Sequence, residues 1–242
     1  MNITVIYANK RKENSCTYGI AQELTGQLLD GGRLHEFYLP WDMPHVCTGC
    51  YACINGHPER CGGYPHLKPI LDAFADSELL VFCSPVYAFH TPGQMKTLLD
   101  HLAYRWLLHQ WDGGMMRKQA VIICTAGGGG LKSAAKDIRD SMEFWGVART
   151  WTITASVWGY NWPELPADFR QRIDRQIART VKRVRAHRAH LTPSCKVRVL
   201  YTFFRHLHRQ QKLTEVDDRH WREHGYNEGP ALWKRDFENI GT

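Results

Sequence analysis

Apolar residues recur along this chain in two alternating rhythms. Asn2–Asn9 is a short β-branched run that reads as a strand. Ser15–Asp30 follows with Ile20, Ala21, Leu24 and Leu28 on one helical face, and Gly31-Gly32 ends the pattern. Arg33–Leu39 alternates as a second strand, and His66–Ser77 returns to helical spacing through Leu67, Ile70, Leu71 and Phe74. Glu78–Cys83 is continuously apolar, the pattern of a strand buried on both faces. Met95, Leu98, Leu99 and Leu102 mark a helix, Gln119–Thr125 a further buried strand, Leu131–Trp145 a helix, and Arg149–Val157 a fifth strand. Asp168–His190 then carries Phe169, Ile173, Ile177, Val181 and Val184 on one face. Five rounds of strand then helix require an α/β fold, a doubly wound parallel sheet covered on both sides. A Thr-Pro-Ser turn within Leu191–Ser194 closes the pattern. The expected division is a domain over residues 1–190 and a C-terminal extension over 191–242, in which Lys196–His208 has amphipathic helical spacing.

Composition narrows the class. With 242 residues, 43% hydrophobic and 23% charged, the chain is ordinary globular material. Its longest apolar stretches, around Leu79–Phe89 and Ala120–Ala126, fall far short of the roughly 18 residues of a membrane helix, so no membrane span is expected. The N-terminus begins directly as a strand without a charged leader, which points to the cytoplasm, where the eight cysteines stay reduced and read as core residues or ligands before disulfides. The net charge of +7 is uneven: residues 1–165 sum to −1 and residues 166–242 to +8. A near-neutral domain with a basic tail is not the pattern of a nucleic-acid binder, and no nucleic-acid motif accompanies it. The bases of the last long helix lie off its apolar stripe, a solvated face by default. The whole basic stretch Arg170–Lys212, with 13 Lys/Arg and one acid, Asp174, would also suit an acidic electron-transfer partner or NADPH.

In an open α/β sheet ligands bind beyond the carboxyl ends of the strands. The loop after the first strand runs Asn9-Lys10-Arg11-Lys12-Glu13-Asn14-Ser15-Cys16-Thr17 and opens a helix, where free N–H groups and the helix dipole favour an anion. It has neither GxGxxG nor GxxxxGK[ST] and suits a single terminal phosphate; Asn14 or Ser15 also reads simply as a helix cap. The loop after the third strand, Ser84-Pro85-Val86-Tyr87 and onward to Gln94, joins a rigid turn to aromatic residues. The loop after the fourth is Ala126 followed by four glycines, Gly127–Gly130, which allow a backbone to approach a ligand closely or serve as a flexible turn.

Together these loops resemble the flavodoxin-like NAD(P)H-dependent oxidoreductases, the FMN reductase and iron–sulfur flavoprotein superfamily, over roughly residues 2–190. The family's first loop resembles Gly-Ser-Pro-Arg-Lys-x-Ser-x-Thr. Arg11, Lys12, Ser15 and Thr17 match it, while Asn9, Lys10 and Cys16 replace its Ser, Pro and frequent Asn. Ser84-Pro85-Val86-Tyr87 matches the flavin-ring loop, Met95-Lys96-x3-Asp100 the following helix (with His101 in place of the usual Arg), and Thr125-Ala126-Gly127-Gly128 the third flavin loop. The resemblance implies a five-stranded sheet of order 2-1-3-4-5, FMN held without a covalent bond, and NAD(P)H as hydride donor. The acceptor would be a quinone, a nitro compound, free flavin or a one-electron carrier. It also implies a homodimer. The FMN contacts it implies are Asn9, Arg11, Asn14, Ser15, Cys16, Thr17, Ser84, Pro85, Val86, Tyr87, Ala126, Gly127 and Gly128, with no side chain acting as nucleophile.

Cys47, Cys50, Cys53 and Cys61 stand in one loop after the second strand at C-x2-C-x2-C-x7-C spacing. Three thiolates so spaced can converge on one centre, and the pattern looks like the [4Fe–4S] motif of the iron–sulfur flavoproteins. A zinc site of four cysteines, or thiols shaping the site rim without metal, are the alternatives. Two further functions stay open: an iron–sulfur electron carrier between a ferredoxin and a partner, and a zinc-binding interaction module without flavin. The thirteen histidines show no HExxH spacing.

Overall fold

The computed structural model describes residues 1–9 and 11–235; Lys10 and residues 236–242, the end of the expected extension, lie outside the described residues. The five strands form where the hydrophobic pattern places them: β1 (Ile3–Tyr7), β2 (Leu34–Tyr38), β3 (Leu79–Pro85), β4 (Gln119–Ala126) and β5 (Arg149–Ser156). They pair all-parallel in the order β2-β1-β3-β4-β5, a flavodoxin-like sheet. β3 and β4 are buried almost throughout, as their uninterrupted apolar sequences require, whereas edge strand β2 is half-buried at every position.

Helices α1 (Cys16–Leu28) and α5 (Ala167–Ala186) cover one face, and α2 (Tyr64–Asp76), α3 (Gly93–His101) and α4 (Leu131–Phe144) the other. Strand alternation splits the core accordingly. Ile3, Val5, Val81, Val121 and Ile123 meet Ile20, Leu24, Ile173 and Ile177 on the first side. Ile6, Leu80, Phe82 and Ile122 meet Ile70, Phe74, Leu98 and Ile138 on the second. The register aligns Tyr7 with Cys83, Cys83 with Ile123 and Ile123 with Ile153. The carboxyl ends of four strands therefore reach the same edge of the sheet, and the loops that leave them stand side by side.

A third core lies between the segment joining α3 to β4 and the C-terminal helices α6 (Cys195–Arg209) and α7 (Glu215–Glu223). Trp111, Trp221 and Tyr201 are fully buried there. Trp111 donates its indole N–H to Trp145 O at 2.6 Å, and Trp221 donates its own to His109 O at 3.1 Å. His208 and Asp218 form a buried pair at 2.7 Å, with the imidazole stacked on Trp221. The extension thus packs its aromatic residues on the same chain. Val199 and Phe203 of α6 remain exposed on the opposite side.

Candidate functional site

Loops from four strand ends enclose one cleft of about 170 Å³, lined by Asn9, Arg11, Asn14, Ser15, Cys16, Thr17, Pro85, Val86, Tyr87, Ala126 and Gly127. Eleven of the thirteen residues singled out from sequence come together here. The first loop tightens through a 3₁₀ turn at Lys12–Asn14 and delivers Ser15 to the N-cap of α1. Ser15 Oγ accepts from Tyr18 N at 3.4 Å and lies 2.7 Å from Thr17 Oγ1. The cap therefore fixes a pair of adjacent hydroxyls beside the free first-turn N–H groups of the helix, the setting that stabilises an anion. Arg11 adds a cation at the mouth, held by a hydrogen bond from Nη2 to Asn161 Oδ1 at 3.2 Å. Asn9 Oδ1 accepts from Arg11 N at 3.1 Å and shapes the turn.

The second loop folds back on itself through Tyr87 and His90, whose backbone groups exchange hydrogen bonds of 3.0 Å in both directions. Ala88 and Phe89 adopt left-handed backbone (φ 47° and 66°). Asp137 on α4 anchors the loop by accepting from Thr91 N at 3.1 Å and lying 3.0 Å from His90 Nδ1. Gly130 completes the fit, because a Cβ there would lie 2.7 Å from Phe89 Cα and Val86 Cγ1. Val86 N donates to Thr125 O at 2.8 Å, so the loops after β3 and β4 are tied together. Tyr87 and Phe89 remain mostly exposed at the rim.

Two expected contacts lie off the cleft. Ser84 is a strand residue whose side chain alternates into the interior, fully buried and 2.8 Å from Thr91 Oγ1, so it supports the loop from beneath. Gly128 is exposed, and its carbonyl accepts from Ser156 Oγ at 3.1 Å. Gly127, by contrast, borders open space: nothing lies within 4 Å of the position its Cβ would take.

Thr125, Val157, Gly159 and Tyr160 also line the cleft, three of them from the loop after β5. No spacing motif marks Val157-Trp-Gly-Tyr; the signal available was its place at a strand's carboxyl end. Cys16 ties this loop down by donating its thiol to Tyr160 O at 3.3 Å, and burial pushes that thiol up, against the weaker pull of Arg11. Trp162 then packs on the bare backbone of Gly19 in α1, where a Cβ would lie only 2.2 Å from the indole, and Arg170 Cζ sits 3.9 Å over the Trp162 ring.

The cysteine loop does not assemble the expected ligand set. Cys47 and Cys50 are exposed and Cys53 and Cys61 half-buried, and left-handed residues at Gly49 and Tyr51 turn the chain between them. Cys61 Sγ lies 3.6 Å from His101 Nδ1, and His101 Nε2 lies 3.0 Å from His45 O. Among the described residues no three Cys, His, Asp or Glu side chains come together in a way that could hold a metal ion. As placed here, the four thiols do not converge on one centre. No described helix is long and apolar enough to cross a membrane.

The hydroxyls and Arg11 at the start of α1 and the open face of Gly127 are residues that fit FMN. A Bacillus anthracis FMN-dependent NADH-azoreductase, solved with FMN, superposes with a TM-score of 0.60 at 12% identity, covering 75% of this chain and 98% of that one. An apo NADH:FMN oxidoreductase superposes with 0.50 at 16% identity, covering 82% and 94%. A flavone reductase gives 0.55 at 15% identity, covering 80% and 66%. At these identities the likeness is one of fold. No curated protein matches the sequence. The pattern defining the NADPH-dependent FMN reductases matches residues 1–161, which include every loop of the cleft, and the chain belongs to that family.

Proposed function

We propose that the cleft binds FMN and that the protein catalyses electron transfer from NAD(P)H to a small, planar acceptor such as a quinone, a nitro compound or free flavin. One observation carries this reading: Ser15, Thr17 and Arg11 stand at a helix N-terminus on one side of the same cleft that Pro85, Val86, Tyr87 and Gly127 border on the other. Ser15 and Thr17 would donate to the phosphate, with Asn9 and Asn14 completing the cradle and Arg11 neutralising charge at its mouth. At about 170 Å³ the cleft is smaller than the roughly 300–1,000 Å³ of a drug-sized pocket, so it takes the phosphate end of the cofactor and leaves the ring at the exposed rim. Bound FMN supplies the hydride and electron transfer. The chain's own part is to hold, orient and shield. Asp137 and Gly130 fix the Pro85–Phe89 turn, and Tyr87 and Phe89 present aromatic surface to a flat acceptor.

With no converging thiol set, small two-electron acceptors are favoured over a route through the cysteine loop. We place the protein in the cytoplasm as a homodimer, for which the exposed Val199 and Phe203 offer apolar surface. Titration of apoprotein with FMN, followed by NAD(P)H oxidation against a panel of quinones and nitroaromatics, tests the reading. One tightly bound FMN per chain and turnover with at least one planar acceptor are expected. Failure to bind FMN would overturn it.

A further inference from the structure

Beyond the cleft, the end of β5 feeds a second concavity. Val157 and Gly159 line the cleft, whereas Ala155, Ser156 and Trp158 line a neighbouring groove of about 300 Å³ between β5 and the first turns of α5. Phe169 and Arg172 form its other wall. Trp158 is the unusual member. It holds a left-handed backbone (φ 46°), which a bulky residue adopts only at a cost, and yet its side chain is 67% exposed, so burial does not offset that cost. Its ring lies 4.0 Å from the position a Cβ on Gly128 would take, beside the β4 loop that borders the cleft.

Arg172 is 69% exposed, its nearest acid is Asp168 at a loose 3.7 Å, and its guanidinium stands 5.8 Å from the Phe169 ring. The helix behind it carries seven Lys/Arg against two Asp, a positive field along this side of the molecule. Two aromatic faces and a loosely paired guanidinium at the edge of a basic helix match one ligand chemistry, a purine ring carrying phosphate.

We propose that this groove receives the adenosine-phosphate half of the nicotinamide dinucleotide, with the purine against Trp158 and Phe169 and the phosphate at Arg172. Trp158 lies beside Gly128 of the β4 loop, so the nicotinamide half would extend from the groove toward the ring at the rim of the cleft. The identity of the dinucleotide rests on the function proposed above, but the groove's affinity for an adenosine phosphate does not.

The probe is therefore ADP, titrated calorimetrically into the full-length protein. Wild-type protein binds it; Trp158→Ala and Arg172→Glu each weaken binding at least about tenfold, the loss expected for one stacked base or one charge-assisted contact, and Arg172→Lys weakens it less. Both side chains are exposed, so the variants keep their fold, which circular dichroism verifies. In the FMN-loaded enzyme the same variants raise KM for NAD(P)H about tenfold while leaving kcat, FMN affinity and KM for reduced nicotinamide mononucleotide unchanged. The proposal is overturned if wild-type protein binds no ADP, if the variants bind it equally well, or if KM for the mononucleotide rises in parallel. ADP binding that depends on Trp158 and Arg172 in a chain that takes up no FMN would leave the groove standing and remove the function proposed for the cleft.

Discussion

Replacing Ser15 by Asp separates the residue's two roles. As N-cap of α1, Ser15 satisfies Tyr18 N, and Asp is as good a cap as Ser. The free protein therefore keeps its stability, whereas Ser15→Ala loses about 1 kcal/mol with the cap. Toward a bound phosphate the two substitutions reverse rank. Ala removes one hydrogen bond to a charged group, worth about 1.5–3 kcal/mol. Asp removes the same bond and sets a carboxylate against the phosphate. At about 4 Å and an effective dielectric of about 20, suited to a site near the surface, that repulsion adds about 4 kcal/mol. FMN affinity should therefore fall about ten- to a hundredfold in Ser15→Ala and more than about a thousandfold in Ser15→Asp. Urea melts of the apoproteins and fluorescence titration with FMN supply the two readings. Ser15→Asp protein that binds FMN within tenfold of wild type would refute the phosphate assignment, because the repulsion between the two anions would then be missing.

Three further outcomes follow from the geometry. Gly127→Ala meets nothing within 4 Å, so it should leave the melting temperature unchanged or slightly raised while its methyl group obstructs the cleft and weakens FMN binding at least about tenfold. Gly19→Ala favours α1 by about 1 kcal/mol but drives a Cβ into Trp162, so about 1–3 kcal/mol of overpacking should win; net destabilisation and looser FMN binding are expected, and a stabilised variant would contradict the packing described. Burial holds the His208 and His220 imidazoles below their usual value of about 6.5, outweighing the pull of Asp218 on the first and of Trp111 O on the second. The unfolded chain then binds more protons than the folded one just below that value, so stability present above pH 6.5 is lost as the pH falls toward the depressed folded values. Chemical melts read by tryptophan fluorescence should show this slope, and His208→Gln should reduce it.

How far the sequence discloses the molecule depends on how much of each feature is local. β3 and β4 are legible because strands buried on both faces must be apolar at every position, and the cleft's first three loops because each joins a strand end to a helix start. Ser84 is adjacent to the ring loop in sequence, yet strand alternation points its side chain inward, which only the register of β3 reveals. The β5 loop is fixed by Cys16 and Gly19, both distant in sequence, so Val157, Gly159 and Tyr160 carry no local mark of the site. α7 is hidden for another reason: Glu215–Glu223 offers only Val216 and Trp221 as apolar residues. The signal within reach was its cap, where Thr214 Oγ1 donates to Asp217 Oδ2 at 2.6 Å and accepts from Asp217 N at 3.2 Å. The directions of the four thiols are not local either, since spacing in one loop does not say where side chains point. Cys61 faces His101, a partner from α3 that spacing cannot supply.

The most direct test of the account is the visible spectrum of purified protein reconstituted with FMN and mixed anaerobically with NADPH or NADH. The protein should be yellow, with one FMN per chain whose absorbance bleaches on mixing and returns when a quinone is added. Protein that retains no flavin, or whose bound flavin stays oxidised with both nucleotides, would contradict it.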